Sequence, residues 1–404
     1  MSRRDVPFES LFAVPLRNGV YKSKEFHGRG SRIVNMGELF GFDFIANQEM
    51  KRVELSDLEL EISSLQDGDL LFGRRSLVEA GAGKCSLVVD PIGALTFESS
   101  LIRVRLNKAL ANPRFLYYYF QSPQGRGRVR SIVSGTNVKG VRGSDLKKLH
   151  VASPSLAVQN RVAGTLSSYD DLIENNRRRM ALLEELARLL YNEWFVRLRF
   201  PGHEHTPIVD GVPQGWECTA MSEAIEVNPR TKLSDSDENW YVEMADLPTD
   251  SMVIQNAVMR EGRSGSKFQN GDTLFARITP CLENGKTGFV NFMATGEVGR
   301  GSTEFIVLRS KRVTPEFVYC LARTYHLREH AIKSMIGASG RQRVQESCFD
   351  KFKVMIPTSP ILRLFSETAA PVFEQIKLLH AQNQKLRAAR DLLLPRLMSG
   401  ELIA

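Results

Sequence analysis

The feature that most constrains this 404-residue chain is an internal duplication of about half its length. The stretch LQDGDLLFGRRS, residues 65–76, has a counterpart in FQNGDTLFARIT, residues 268–279, which lies 203 positions later. At the same distance, SIVSGTNVKGVRGSDLKKLHVASP, residues 131–154, matches SMIGASGRQRVQESCFDKFKVMIP, residues 334–357. A repeat of this length indicates two copies of one globular unit rather than a solenoid of short repeats.

Each copy has the same predicted order of elements. Short alternating or apolar runs such as DLLFGR and SLIRVRL, bounded by glycine and aspartate, are typical of strands. A P-x-F-x-Y segment that predicts a helix follows, from Asn112 in the first copy and from Thr314 in the second. A glycine- and arginine-rich loop, a short strand that ends at Pro154 or Pro357, and a long helix complete each copy. The sequence therefore predicts two similar α+β domains, each followed by a long helix.

The two long helices carry matching apolar stripes with the spacing of a heptad repeat. The stripes comprise Leu166, Tyr169, Ile173, Asn176, Met180, Leu183, Ala187, Leu190 and Trp194, and then Ala369, Val372, Ile376, Leu379, Asn383, Leu386, Arg390, Leu393 and Leu397, of which Arg390 fits poorly. Such narrow stripes favour pairing of the helices with each other, while packing of each helix on its own domain alone stays open. We expect an antiparallel coiled coil with an internal pseudo-twofold axis, in which Asn176 faces Asn383 and fixes the register.

The composition is that of a soluble globular protein, with 42% hydrophobic residues, 25% charged residues and a net charge of +8. This excess of basic residues suits a nucleic-acid partner without requiring one. The five cysteines form no Cys-x-x-Cys pair, so neither a disulfide framework nor a cysteine zinc site is expected, and a reducing compartment fits. The start MSRRDVPFES has no apolar signal segment, and no apolar run approaches the roughly 20 residues that a membrane span needs. We therefore expect a cytoplasmic protein.

The central stretch LIENNRRRMALLEELARLLYNEWFVRLRFPG and the ending RDLLLPRLMSGEL resemble the specificity subunit of type I restriction–modification systems. The helix starts PSLAVQNRVAG, from Pro154, and SPILRLFSETAAP, from Ser359, are similar to that family too, although neither has the Glu-Gln pair common there. The resemblance covers essentially the whole chain. It implies target recognition domains at residues 1–155 and 201–358, and helical conserved regions at 156–200 and 359–404.

The same resemblance implies a division of labour. Each recognition domain would read one half of a split double-stranded DNA sequence. The helices would act as a ruler between the half-sites and dock two methyltransferase subunits, in a complex that also holds restriction subunits. Recognition domains vary strongly within the family, so the DNA-contacting residues have to be sought by their chemistry.

Two pairs of loops concentrate the side chains that proteins use to contact DNA. Lysine and arginine contact phosphates, whereas Arg, Lys, Asn and Gln read base edges. The loops SGTNVKGVRG and GASGRQRVQ contribute Thr136, Asn137, Lys139, Arg142, Ser339, Arg341, Gln342 and Arg343. The segments after the Gly-Asp turns contribute Arg74, Arg75, Lys84, Arg277 and Lys286. Recurrence at equivalent positions favours DNA contacts, while a solvated loop charge stays the alternative for any single residue.

Motifs for catalysis are incomplete. Only NPRF and NPRT, from Asn112 and Asn228, approach the Asn-Pro-Pro-aromatic motif of DNA amino-methyltransferases. The stretch VEAGAGKCS lacks both the first glycine and the Ser/Thr of a P-loop. The stretch HLREH, from His326, fits a zinc-peptidase pattern, but no third ligand is evident. We expect no catalytic residue, metal or cofactor in this chain, so S-adenosylmethionine, ATP and magnesium would belong to partner subunits.

These observations lead to the hypothesis of a non-catalytic subunit that recognises a bipartite, asymmetric DNA sequence. Two other classes remain open at this point. One is a stand-alone DNA methyltransferase or nuclease with duplicated domains. The other is a coiled-coil scaffold that does not bind DNA.

Overall fold

The structure, a computed structural model, describes residues 5–76, 81–135, 137–234, 238–338 and 340–402. The chain divides into two compact units: Met1–Leu172 with Lys385–Ala404 forms the first unit, and Ile173–Gln384 forms the second. Each long helix therefore contributes residues to both units. Across the described ranges, no helix is long and apolar enough to cross a membrane.

The first unit combines short strands with helices. Its strands are β1 (Asp5–Pro7), β2 (Arg17–Asn18), β3 (His27–Val34), β4 (Phe44–Ile45), β5 (Arg52–Val53), β6 (Leu70–Gly73), β7 (Arg75–Ser76), β8 (Cys85–Val88), β9 (Leu95–Phe97), β10 (Leu101–Val104), β11 (Lys139–Gly140) and β12 (His150–Ala152). Its helices are α1 (Met36–Gly41), α2 (Asp57–Ser63), α3 (Pro113–Gln121), α4 (Pro123–Arg130), α5 (Gly143–Lys148) and the start of the long α6 (Leu156–Tyr191).

The second unit follows the same plan. Its strands are β13 (Ile208–Val209), β14 (Val212–Pro213), β15 (Glu217–Ala220), β16 (Ile225–Val227), β17 (Glu238–Val242), β18 (Val258–Glu261), β19 (Ser266–Gln269), β20 (Thr273–Ala276), β21 (Thr287–Phe289), β22 (Val298–Gly301), β23 (Phe305–Ser310) and β24 (Lys353–Ile356). Its helices are α7 (Met221–Ala224), α8 (Pro315–Ala322), α9 (Tyr325–Lys333) and most of the long α10 (Ser359–Ser399).

The sheets show that the sequence repeat is a repeat of fold. The larger sheet has the order β2-β10-β6-β8-β4 in the first unit and β16-β23-β20-β21 in the second. A parallel bridge from Val253 to Phe289 stands in the second unit where β4 pairs with β8 in the first. The smaller sheet has the order β5-β3-β9 in the first unit and β18-β17-β22-β19 in the second. The prediction of two similar α+β domains is confirmed.

The repeated Gly-Asp turn has the same structural role in both units. Its glycine has a φ of +88° in the first unit and +91° in the second, a conformation that residues with a side chain rarely adopt. The buried Asp69 accepts hydrogen bonds of 2.7 and 2.8 Å from Arg105, and Asp272 accepts two of 2.7 Å from Arg309. A buried carboxylate without a partner is strongly destabilising, so these two arginines stabilise the fold by pairing with the aspartates.

The P-x-F-x-Y segments form helices because each begins with a capping residue and a proline. The side chain of Asn112 accepts the backbone N–H of Phe115 at 3.1 Å, and Thr314 accepts that of Phe317 at 3.4 Å. Proline at the next position lacks the N–H that a helix start leaves unpaired. The apolar faces of α3 and α8 then enter the larger apolar core of their units.

The long helices run antiparallel within each unit. In the second unit, Asn176 Nδ2 donates to Asn383 Oδ1 at 3.0 Å. In the same unit, the ring centroid of Phe195, just beyond α6, lies 4.9 Å from that of Phe365 in α10. In the first unit, Arg390 pairs with Asp170. The residue numbers of these pairs add to 559 or 560, as opposite chain directions require. Every predicted stripe residue is buried or half-buried.

Candidate nucleic-acid interface

In the first unit, the two loops that the sequence analysis selected pair with each other and form a small two-stranded ribbon. Strand β7 pairs antiparallel with β11, with Ser76 opposite Lys139 and Arg75 opposite Gly140. Next to this pair, the backbone N–H of Val141 donates to the carbonyl of Arg74 at 3.0 Å. Residues 74–76 and 139–142 are called the first ribbon.

The second unit builds an equivalent ribbon. The backbone N–H of Val344 donates to the carbonyl of Arg277 at 2.8 Å, which repeats the bond from Val141 to Arg74 at 203 positions' distance. The backbone N–H of Thr279 donates to the carbonyl of Gln342 at 3.0 Å, and an isolated bridge joins Ile278 to Arg343. Residues 277–279 and 342–344 are called the second ribbon.

The side chains of the first ribbon leave their cations accessible. Arg75 and Arg142 are exposed, and Lys139 is half-buried. Arg74 is half-buried, and its Nη1 lies 3.4 Å from the carbonyl of Ser99. Asn137, in the loop that leads into β11, is exposed. The first ribbon thus presents charged and amide donors, the groups that contact phosphates and base edges.

Carboxylates hold the arginines of the second ribbon. Arg343 donates from Nε and Nη2 to Glu304 at 2.6–3.0 Å, and this hydrogen bonding raises the pKa of the Arg343 guanidinium. Arg277 Nη1 lies 3.7 Å from a carboxylate oxygen of Glu346. Arg341 is exposed and Gln342 is half-buried. An arginine held in this way keeps unused N–H groups in a fixed orientation, because the guanidinium is planar and has five donors.

Two of the selected lysines have a role in the fold. Lys84 Nζ donates to the carbonyl of Phe40 at 2.8 Å, and Lys286 Nζ donates to that of Met244 at 2.6 Å. In each unit the lysine therefore anchors a distant backbone segment. Since both side chains are only half-buried, the ammonium groups remain next to solvent. Two other selected residues, Thr136 and Ser339, lie outside the residues that the structure describes.

Sequence reasoning missed a cleft in the second unit that contains further cations. The cleft has a volume of about 570 Å³. Its lining comprises Asn228, Pro229, Arg230, Thr231, Lys232, Ser266, Lys267, Arg277, Thr303, Phe305 and Val307. Only Arg277 among these was selected from the sequence. The signal was weak because Arg230 and Lys232 follow β16 whereas Lys267 lies in β19, so that only the folded sheets bring them together.

A buried carboxylate of α6 fixes each domain to the helix. In the first unit, Asp170 accepts the hydroxyl of Tyr118 at 2.6 Å and pairs with Arg390, the residue that fits the stripe poorly. In the second unit, Glu184 accepts the hydroxyl of Tyr319 at 2.5 Å and the backbone N–H of Met252 at 2.7 Å. Burial raises the pKa of the Glu184 carboxyl, and the hydrogen bond from Tyr319 partly opposes this.

The motifs that resembled catalytic ones have other tasks in the fold. Asn112 of NPRF caps α3. Asn228 of NPRT accepts the backbone N–H of Val307 at 2.9 Å. In HLREH, Glu329 pairs with Lys333 at 2.8 Å, and a ring nitrogen of His330 lies 2.9 Å from the carbonyl of Cys348. Among the described residues, no group of three or more His, Cys, Asp or Glu side chains could hold a metal ion.

Known proteins are similar to this chain in sequence or in fold. The family model of the type I restriction modification DNA specificity domain matches residues 61–185. The MjaIX specificity subunit of a type I restriction enzyme from Methanocaldococcus jannaschii is 25% identical, over 82% of this chain and 82% of that protein. The HindI specificity subunit from Haemophilus influenzae is 20% identical, over 89% of this chain and 96% of that protein.

A solved structure has the same fold. The type I restriction–modification S subunit from M. genitalium superposes with a TM-score of 0.55 at 15% identity, over 98% of this chain and 95% of that one. The sequence matches extend over most of the chain, and the duplicated α+β units with paired long helices agree with them. Over most of its length, the chain is therefore similar in sequence to the specificity subunits of type I restriction–modification systems.

Proposed function

We propose that this chain recognises a bipartite, asymmetric sequence in double-stranded DNA, with one half-site read by each unit. The observation that carries the proposal is the ribbon, which recurs at the same place in both units and gathers the donors selected from the sequence. Ribbons of two strands are among the elements that enter DNA grooves. The net charge of +8 favours the approach of such surfaces to a phosphate backbone.

The two half-sites are expected to differ because the ribbons differ. Where the first unit has Lys139 and Arg142, the residues 203 positions later are Gln342 and Gln345. Arginine and lysine bond the acceptors of guanine, whereas glutamine suits the donor and acceptor of adenine. Two units with the same fold but different side chains at their ribbons are what the recognition of an asymmetric DNA sequence requires.

The helix pair would set the number of base pairs between the half-sites. In other DNA-binding proteins with two recognition elements, their separation fixes the spacing of the half-sites. An α-helix supplies a stiff distance of about 1.5 Å per residue. The bond from Asn176 to Asn383 would hold the helices in one register and so keep that distance constant.

Exposed leucines on the long helices are the surfaces that would dock methyltransferase subunits. Leu182, Leu186 and Leu189 of α6 are 65%, 54% and 53% exposed, and their spacing places them on one face. Leu392 of α10, the counterpart of Leu189, is 68% exposed. Apolar residues repeated on a solvated helix face suit a protein partner. One such leucine at the same place in each repeat fits two equal subunits.

Catalysis in this proposal belongs to the partners. Methyltransferase subunits would bind S-adenosylmethionine and transfer the methyl group, and restriction subunits would use ATP and magnesium. The complex would act in the cytoplasm, where the five cysteines, all free thiols in the structure, suit a reducing environment.

The test is the methylation pattern of the host genome. Single-molecule methylome sequencing before and after deletion of this gene should show one bipartite motif that disappears and returns on complementation. As a control, the purified chain incubated with labelled S-adenosylmethionine and DNA should transfer no label. Transfer by the chain alone, or an unchanged methylome in a host that has the methyltransferase subunits, would reject the proposal.

A further inference from the structure

The cationic cleft of the second unit brings together three separate segments. Arg230 and Lys232 come from the loop after β16, Lys267 from β19 and Arg277 from the second ribbon. Arg230 and Lys232 are exposed, while Lys267 and Arg277 are half-buried. Four basic side chains thus border one concave surface. Since like charges repel, such a cluster lowers the stability of the free protein and favours an anion at this place.

Among the residues that the structure describes, no carboxylate forms an ion pair with Arg230, Lys232 or Lys267. Glu304, beside Thr303 of the cleft lining, is bonded by Arg343. Glu346 approaches Arg277 only to 3.7 Å. The Nε atom of Arg277 is buried and has no hydrogen-bond partner among the described residues. A buried donor without a partner is uncommon in folded proteins, and here the donor belongs to a cation that lines the cleft.

The polar part of the lining suits an oxyanion. Thr231, Ser266 and Thr303 place hydroxyl groups among the cations. Hydroxyls, lysine and arginine are the groups that bind phosphate oxygens in protein–DNA complexes. Phe305 and Val307 are buried at the wall of the cleft, so they supply a rigid surface. The backbone turn at Asn228, with a φ of +50°, leads into the segment that contains Arg230 and Lys232.

We propose that this cleft binds the DNA sugar-phosphate backbone beside the second half-site. The proposal rests on the proposed function and extends it to residues outside the ribbons. Arg277 connects the two surfaces, because it belongs to the second ribbon and also lines the cleft. Backbone contacts at this place orient the second ribbon on the duplex, and the ribbon supplies the sequence readout.

The two units differ in where their accessible cations lie. In the first unit the accessible cations lie on the ribbon itself, at Arg75, Lys139 and Arg142. In the second unit, Glu304 and Glu346 engage the ribbon arginines, and the further cations lie in the cleft. Apart from Arg277, which belongs to both surfaces, phosphate binding and base reading are therefore carried by different residues in the second unit.

The experiment uses the full chain assembled with its methyltransferase subunits. The variants are Arg230→Gln, Lys232→Gln and the double variant, and the matched control is Lys311→Gln, an exposed lysine of the same unit that does not line the cleft. The dissociation constant is measured against salt concentration, on DNA with the recognised sequence and on random DNA. Thermal unfolding of each variant checks its fold, and it should occur at the wild-type temperature or above because repulsion is relieved.

We expect each cleft substitution to reduce the slope of log affinity against log salt by about one, and the double variant by about two. The loss should be equal on recognised and random DNA, the methylated motif should stay the same, and Lys311→Gln should bind as the wild type does. Wild-type slopes in the cleft variants would overturn the inference. A changed sequence preference with an unchanged slope would overturn it too, because the cleft would then read bases. If the wild-type complex itself binds no DNA, the proposed function fails instead.

Discussion

Two buried asparagines determine the register of the otherwise apolar helix pair. Asn176 and Asn383 are 5% and 1% exposed, and they bond each other. Asn383 also donates to the carbonyl of Ile173 at 3.2 Å, and Asn176 donates to Gln382 at 3.1 Å. Sliding one helix by a turn would bury both amides without partners, at a cost of about 1–3 kcal/mol for each unsatisfied group. The pair therefore favours one register over its neighbours.

We expect Asn176→Leu and Asn383→Leu each to lower the free energy of unfolding of the second unit by about 1–3 kcal/mol, because the remaining amide loses the hydrogen bond that joins the two asparagines. The double variant should regain most of this loss, since two leucines pack without polar groups. Urea unfolding followed by tryptophan fluorescence measures the effect, because Trp194, Trp216 and Trp240 all lie in the second unit.

The control for this cycle is Asn175→Leu, which makes the same change at an exposed position of the same helix. It should change the free energy of unfolding by no more than about 0.5 kcal/mol. Additive losses in the double variant would mean that the two amides do not depend on each other.

The sequence predicted the asparagine pair but not the ion pair between Asp170 and Arg390. Spacing alone places Asn176 and Asn383 on matching stripes, and antiparallel pairing at a fixed offset brings them opposite each other. Arg390 looked like a defect of the stripe because its partner, Asp170, lies off the stripe. Tyr118, the third member, comes from another element, and no local pattern in the sequence links the three.

At the scale of elements, the ribbons show how one scaffold supports two chemistries. The same backbone bond joins Val141 to Arg74 and Val344 to Arg277, so the strands superimpose in their pairing. The carbonyl that accepts the N–H of Arg74 belongs to Ser100, whereas the one that accepts the N–H of Arg277 belongs to Glu304. The residue beside the first ribbon is thus a serine where the second unit has a glutamate. Ser100 has no carboxylate that could pair with the cations of the first ribbon.

We expect the double substitution Lys139→Gln and Arg142→Gln, which gives the first ribbon the glutamines of the second unit, to alter only the first half of the methylated motif. A bidentate contact to a base contributes about 1–3 kcal/mol of discrimination, so positions read by these residues should relax or change. Methylome sequencing of a host with the variant as its only specificity subunit measures this. Lys148→Gln, an exposed change on α5, is the control and should leave the motif unchanged. A change in the second half would contradict the assignment of ribbons to half-sites.

The sequence predicted the repeated elements around the Gly-Asp turn, the P-x-F-x-Y helix and the long helix, but only part of the candidate site. The strands and the capped α3 and α8 followed from local patterns that occur twice, whereas the pairing of the selected loops into ribbons is visible only in the structure. Lys84 was selected for its loop, yet its ammonium bonds the carbonyl of Phe40, 44 positions earlier, and a backbone acceptor leaves no sequence signal. The cleft was missed because Lys232 and Lys267 lie in distant segments that only the folded sheets bring together.

At the scale of the whole molecule, the chain consists of two units of one fold that share two continuous helices. The boundary between the units falls at Leu172–Ile173 in α6 and at Gln384–Lys385 in α10. In the antiparallel register given by Asn176 and Asn383, these two positions lie within about three residues of being opposite each other. A change in helix length made at both positions would therefore leave the pairing inside each unit intact.

Inserting one heptad at each of these two positions should lengthen the spacer of the recognised sequence by about three base pairs and leave both half-sites unchanged. Seven helical residues add about 10.5 Å, and one base pair occupies about 3.4 Å. Affinity should fall, because three base pairs also turn the duplex by roughly 100°. Methylome sequencing reads both spacer and half-sites. A heptad in α6 alone is the control and should abolish methylation, since the seam can no longer pair along both units. Methylation at the original spacing by the doubly lengthened chain would show that the helices do not act as a ruler.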